Sequence, residues 1–365
     1  MSFLLCLALG SAQAGVPWGL KPVLPSLLTP SHQASLEQGE VLDKAQLVQL
    51  EELRREIHLE VNALRLENTL EVQHYNDAAA LITEMETERL KKLLGERGEL
   101  FRAWAEQAWA IDDARIQARR DAPPPPSGTV TYEVFGTQYA PNDAAEPDEL
   151  AVPDVCIKFA NLGWTSELAS WGCPSSYQAG NAYSVNVVRD SYDRDVWVGE
   201  VGPWNHHDNY WNRVDDPDRP RRMWTDLARG MPEAQAAFRD NYNNGQDEFG
   251  RTVLNQAGID LTPQVAETIG LAYLQNDWLE VTWLWETGDD PGPGDTDDDT
   301  DDDTDDDTDD DTDTGLDTGL DTGGDSGMSK PERPGGCACS SGAPTVAGGV
   351  WLLGLVGLLR RRRSA

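Results

Sequence analysis

Residues 289–325 contain 19 aspartates and not one lysine or arginine, written mostly as Asp-Thr-Asp-Asp-Asp repeats that trail into Gly-Leu-Asp-Thr. Like charges at that density cannot collapse onto a core, so this run divides the chain. A folded body has to lie before it. Of the formal net charge of −35, the run carries −19 and residues 326–365 carry +5, which leaves −21 on residues 1–288. A body that acidic lacks the clustered Lys and Arg that phosphate backbones and anionic membrane surfaces demand, and no nucleic-acid partner is expected. Residues 289–327 read as a disordered, self-repelling stalk. Calcium is the sharper alternative, since carboxylate oxygens are hard ligands, but no loop here has the glycine at the sixth and glutamate at the twelfth place of a calcium-binding hand.

The two ends point to export. Phe3-Leu4-Leu5-Cys6-Leu7-Ala8-Leu9 is a short apolar run, and Ala12-Gln13-Ala14 is a small-x-small cleavage pattern, so residues 1–14 read as a signal peptide. Residues 345–359 are apolar and are followed by Arg360, Arg361, Arg362 and Arg363. As a helix they reach about 22 Å, short of a bilayer core of about 30 Å, and the arginines would hold that end inside. Together with Gly336-Cys337-Ala338-Cys339-Ser340-Ser341, this weak transmembrane helix and Arg cluster resemble the myxobacterial C-terminal sorting tail (MYXO-CTERM), over residues 335–365. The resemblance implies processing by sorting machinery, attachment through Cys337 or Cys339, and display at the cell surface or outer membrane. A plain C-terminal membrane anchor is the alternative. Of the five cysteines, that leaves Cys156 and Cys173 in the body. In an oxidising compartment they are expected to form a disulfide, worth about 3 kcal/mol for a loop of this length. A zinc site would need other ligands, and no histidine lies between or beside them.

Residues 36–120 are helical in pattern. Leu47, Leu50, Ile57, Val61 and Leu64 share one helix face; residues 78–94 carry a second stretch and residues 101–111 a third, with breaks at Gly95 and Gly98. Two arrangements satisfy so long a pattern. One is a coiled-coil or antiparallel hairpin arm that leaves self-association open; the other is a helical layer packed on the next domain. Pro123-Pro124-Pro125-Pro126 then marks a stiff linker over 121–128. From residue 129 to 287 the pattern turns mainly β, with strands expected at 129–135, 183–189, 195–201 and 279–285, and helical pieces at 232–241 and 262–271.

The residues with chemistry lie in that β domain. Glu200-Val201-Gly202-Pro203-Trp204 ends an apolar strand in a turn, and Asp260-Leu261-Thr262 opens a short helix ending in Gly270-Leu271, before a final strand at 279–285. Over about 90 residues this resembles the double-psi β-barrel of rare lipoprotein A and of expansins. The resemblance implies a multidomain protein in which a helical region precedes a mainly-β double-psi barrel that binds or remodels cell-wall polysaccharide, with peptidoglycan the expected partner. Cleaving a glycosidic bond needs a carboxylic acid and a second carboxylate or base nearby. If the domain is a lytic transglycosylase-like enzyme, Asp260 is the acid and Glu200 its partner. Asp260 alternatively caps the following helix, and Glu200 alternatively is an ordinary strand-end residue. The lytic family carries Asp-Arg-Gly-Pro where this chain has Glu200-Val201-Gly202-Pro203, and an upstream histidine absent between Cys156 and Tyr183. That leaves an expansin-like, non-hydrolytic role open, and beyond it a non-catalytic surface protein acting through its helical arm.

Trp204, Trp211 and Trp224 are candidates for a sugar-stacking surface, since flat apolar rings match sugar faces; core packing is the alternative for each. His206-His207-Asp208 matches no zinc spacing and reads as a polar loop. No cofactor and no metal are expected.

Overall fold

A computed structural model describes residues 15–67, 69–120, 130–139, 148–180 and 182–286. The signal peptide, the proline linker, the stalk, and the sorting tail with Cys337 and Cys339 lie outside the described residues.

Two short helices, α1 (Leu24–Leu27) and α2 (Pro30–Gln38), precede three long ones: α3 (Lys44–Leu66), α4 (Val72–Leu94) and α5 (Gly98–Arg120). α3 starts at a capping box, in which the Asp43 carboxylate accepts from the Gln46 N–H (2.8 Å) and the Gln46 side chain accepts from the Asp43 N–H (3.2 Å). The Gln46 amide also donates to the Leu93 carbonyl at the far end of α4 (3.2 Å), so α3 and α4 form an antiparallel hairpin. Leu50, Ile57, Val61 and Leu64 are buried, as their spacing predicts. Among the described residues no helix is long and apolar enough to cross a membrane.

The β domain is a closed six-strand barrel: β1 (Thr131–Gln138), β2 (Glu149–Val152), β3 (Ser184–Arg189), β4 (Tyr192–Val201), β5 (Ile259–Leu261) and β6 (Asp277–Trp283), paired in the order β1-β5-β2-β4-β3-β6. β1 with β5 and β2 with β4 are parallel; the other neighbours are antiparallel. Closure leaves no open strand edge. Alternate residues fill the interior: Val134, Leu150, Val152, Val185, Val187, Val198, Ile259, Leu261 and Val281 are fully buried in one cluster. Two helices between β2 and β3, α6 (Val155–Asn161) and α7 (Thr165–Ser170), are joined by the Cys156–Cys173 disulfide, with Cα atoms 5.6 Å apart. α8 (Glu233–Asp240) and α9 (Pro263–Thr268) complete the domain.

Helices and barrel fall within a single unit, and the helices are a layer on the barrel rather than a free arm. They meet through an apolar patch, Ile116 with Phe135, Met231, Ala236 and Trp278, and through polar pairs. Asn62 Nδ2 donates to the Gln138 carbonyl (2.8 Å), Asn276 Nδ2 to the Pro25 carbonyl (2.8 Å), and Arg239 reaches the Asp113 carboxylate (2.6 Å). His58 sits at the centre. Its Nε2 lies 2.9 Å from the Gln138 carbonyl oxygen and its Nδ1 lies 3.2 Å from the Asn276 amide nitrogen. The neutral ring with its proton on Nε2 satisfies both atoms; the charged ring does not.

Burial pushes the His58 pKa down from 6.5 to about 4, against the Gln138 hydrogen bond, which favours the charged form. The folded state therefore takes up this proton later than the unfolded chain. Stability from His58 is complete above pH 6.5 and is lost as pH falls from 6.5 towards 4, by about 3 kcal/mol in all. Denaturant unfolding at a series of pH values is expected to show the parent losing about that much stability relative to His58→Gln as pH falls through this range. Equal pH slopes in the two proteins would contradict it.

Candidate functional site

Asp260 and Glu200 both lie on the outer face of the barrel. Ile259 and Leu261 point inward, so Asp260 between them points outward; Ala151 does the same between Leu150 and Val152. Thr137 pairs with Asp260, Asp260 with Ala151, and Ala151 with Glu200, so these four residues form one row across β1, β5, β2 and β4. One strand separates the two acidic residues, which sets their backbones about 10 Å apart. The carboxylates expected from the motifs therefore do share a surface.

Their surroundings differ sharply. The Asp260 carboxylate is buried, with its side chain 2% exposed. Arg65, in the last turn of α3, forms an ion pair with Oδ2 and lies 3.4 Å from Oδ1, which also accepts a hydrogen bond from the Thr137 hydroxyl. The Arg65 guanidinium is 5.7 Å from the centre of the Trp204 ring, which closes the other side. Asp260 does not cap α9. Thr262 does, accepting from the Val265 N–H, so the capping role expected as the alternative belongs to its neighbour.

Glu200 stands at the open end of the row, 39% exposed, paired with Lys158 of α6 and accepting from the Val201 N–H (3.0 Å). Between the two acids lies Tyr139, whose hydroxyl donates to Glu149 Oε1 (3.2 Å). Burial first, then the carboxylates of Glu149, Glu200 and Asp260, push the Tyr139 hydroxyl far above its usual range and keep it a neutral donor. Gly199 makes room for this cluster: a Cβ there would sit 1.9 Å from a Glu149 carboxylate oxygen.

The three tryptophans marked for sugar stacking are placed differently. Trp211 is fully buried, stacked on Trp283 with centroids 5.2 Å apart. Trp204 is buried with its Nε1 donating to Asn255 (2.9 Å), and Trp224 is half-buried against Tyr242. Neither Trp204 nor Trp211 offers a ring face to a ligand. His206 and His207 both pack on Trp171 and bind Glu248, through the His206 backbone N–H and His207 Nδ1, while Asp208 pairs with Arg221. Among the described residues, no group of three or more His, Cys, Asp and Glu is placed to hold a metal ion.

A general acid has to present an oxygen to its substrate, and both Asp260 oxygens are taken up under the helical layer. In this structure the row presents hydrogen-bonding groups to solvent at its Glu200 end, and the Asp260 carboxylate is closed off. Sequence reasoning missed Arg65, Thr137, Tyr139, Glu149 and Lys158. Arg65 had no local signal, because its partner lies 195 residues away.

Residues 130–282 match the family described as "Domain of unknown function (DUF8814)". The match runs from just before β1 to the penultimate residue of β6, and so covers the barrel domain with α6–α9 and not α1–α5. No curated protein matches the chain, and no solved structure does.

Breaking the buried pair from one side strands a charge. Arg65→Met is expected to cost about 3–5 kcal/mol in denaturant unfolding. Arg65→Met with Asp260→Asn is expected to cost at least about 1 kcal/mol less than the two single changes together. Strictly additive costs would show that the two side chains do not interact.

Proposed function

We propose that the barrel domain binds cell-wall polysaccharide, with peptidoglycan the leading partner, and does so without cleaving it. The observation that carries this reading is the state of Asp260, whose carboxylate is closed off by Arg65, Thr137 and Trp204. The partly exposed Glu200 and its Lys158 partner remain as hydrogen-bonding groups for hydroxyl-rich ligands. A closed six-strand barrel that sets the Glu200 and Asp260 motifs in one row supports the double-psi reading and, with it, an expansin-like role. The disulfide fits an exported protein, and the sequence of the tail supports attachment at the cell surface.

The experiment uses the full chain, because α3 covers the Asp260 end of the row. Incubated with purified peptidoglycan, the parent is expected to co-sediment with the polymer and to release no soluble muropeptides by mass spectrometry. Asp260→Asn, which keeps the shape of the side chain, is expected to co-sediment equally. Anhydro-muropeptides released by the parent and absent with Asp260→Asn would overturn the non-cleaving reading and make Asp260 an acid catalyst.

A further inference from the structure

The largest exposed rings on the barrel domain are not scattered. Trp164 is 45% exposed and Trp171 42%, and a chain of ring contacts joins them. Trp164 stacks on Phe159 (5.8 Å, 27°), Phe159 meets Trp171 (6.0 Å), Trp171 meets His206 (5.8 Å) and His207 (5.6 Å), and His206 meets the exposed ring of Phe249 (4.8 Å). Phe159 is buried and His206 and His207 are half-buried, so they form a packed base from which Trp164, Trp171 and the Phe249 ring reach solvent. Exposed rings grouped in this way mark contact with something else.

The backbone holds this strip ready. α6 and α7 each end in a Schellman turn. After α6, the Trp164 N–H donates to the Phe159 carbonyl (2.8 Å) and the Gly163 N–H to that of Ala160 (3.0 Å). After α7, the Cys173 N–H donates to Leu168 (3.0 Å) and the Gly172 N–H to Ala169 (3.2 Å). Gly163 and Gly172 take φ of +73° and +65°, which L side chains rarely adopt. The first turn produces the Phe159–Trp164 stack, the second places Trp171, and the disulfide closes the loop that carries both. Neither indole is there to fill the core.

The rim supplies polar groups of a particular kind. Lys158, next to Phe159, carries the ion pair with Glu200. His207 has its Nδ1 fixed by Glu248 Oε2 (3.0 Å), which leaves Nε2 as its remaining hydrogen-bonding atom. Rigid ring faces flanked by charged hydrogen-bonding groups suit a ligand that is apolar on one face and hydroxylated at its edge. Pyranoses with equatorial substituents have that shape. The −21 charge on residues 1–288 disfavours a polyanion.

We infer that the strip of Trp164, Trp171, His207 and Phe249, backed by the buried Phe159 and with Glu200 and Lys158 at its edge, is a binding subsite for a glycan of equatorially substituted pyranose units. Trp204 and Trp211, both buried, take no part in it, and it rests on the polysaccharide reading above. The α6–α7 helix pair, not the turn after β4, supplies the stacking rings.

The test titrates the full chain with N-acetylglucosamine hexamer and with cellohexaose, followed by tryptophan fluorescence, alongside co-sedimentation with peptidoglycan. The parent is expected to bind, and Trp164→Ala with Trp171→Ala to weaken binding about ten-fold or more. Trp164→Phe with Trp171→Phe is expected to retain most of it, and Tyr273→Ala, an exposed ring outside the strip, to change nothing. Unchanged melting temperatures would show that the variants fold. If the parent binds and the double alanine variant binds as tightly, the strip is overturned while the polysaccharide reading stands. If the parent binds no glycan, both fall. A parent that sediments as a dimer, dissociated by the alanine changes and indifferent to glycan, would make the occupant a second copy and overturn the proposal.

Discussion

A guanidinium from the end of α3 sits on a carboxylate in the middle of the shortest barrel strand, and the relation between helices and barrel depends on that pair. Arg65 and Asp260 are both nearly sealed from water. Two charges are stable there only when each satisfies the other and further donors complete the shell, which Thr137 provides at Oδ1 and the Trp204 ring supports at the guanidinium. Removing the helices would leave Asp260 open to solvent on the outer face of the row. The helical layer thus determines what the barrel surface can do.

The same pair explains why the motif and its surroundings point in different directions. Glu200 lies on the strand expected for it, whereas Asp260, expected to open a helix, lies at the centre of β5; Ala151 pairs with both. A row of that kind is a sensible frame for two cooperating carboxylates. Yet only Glu200 reaches solvent, and its partner is Lys158 rather than Asp260.

Much of the frame is written in periodicity. The three-and-four spacing of Leu50, Ile57, Val61 and Leu64 yields α3, and Gly95 does interrupt the helices. Four of the six strands lie where alternation puts them. β5 is only three residues long and carries a charge at its centre, and β2 is four residues long, so neither displays a strand pattern by itself. α6 and α7 are too short for a helical stripe, but Gly163 and Gly172 after them carry the signal of their ends. The tryptophans show the limit most plainly. Trp211 and Trp171 look alike in the sequence, each beside polar or small residues, and only packing places one against Trp283 and the other in solvent. Whether the helices form an arm or a layer is likewise decided by long-range pairs such as Arg65–Asp260, His58–Gln138 and Asn276–Pro25, which no local pattern announces.

The most direct measurement is the reactivity of the carboxylates in the native chain. Carbodiimide coupling of glycine ethyl ester, with modified positions read by peptide mass spectrometry over a time course, reports each acid separately. Glu200 is expected to be modified early and Asp260 to stay unmodified until the chain unfolds. Asp260 labelling at the rate of Glu200 in the folded protein would contradict the closed pair on which the proposal of binding without cleavage rests.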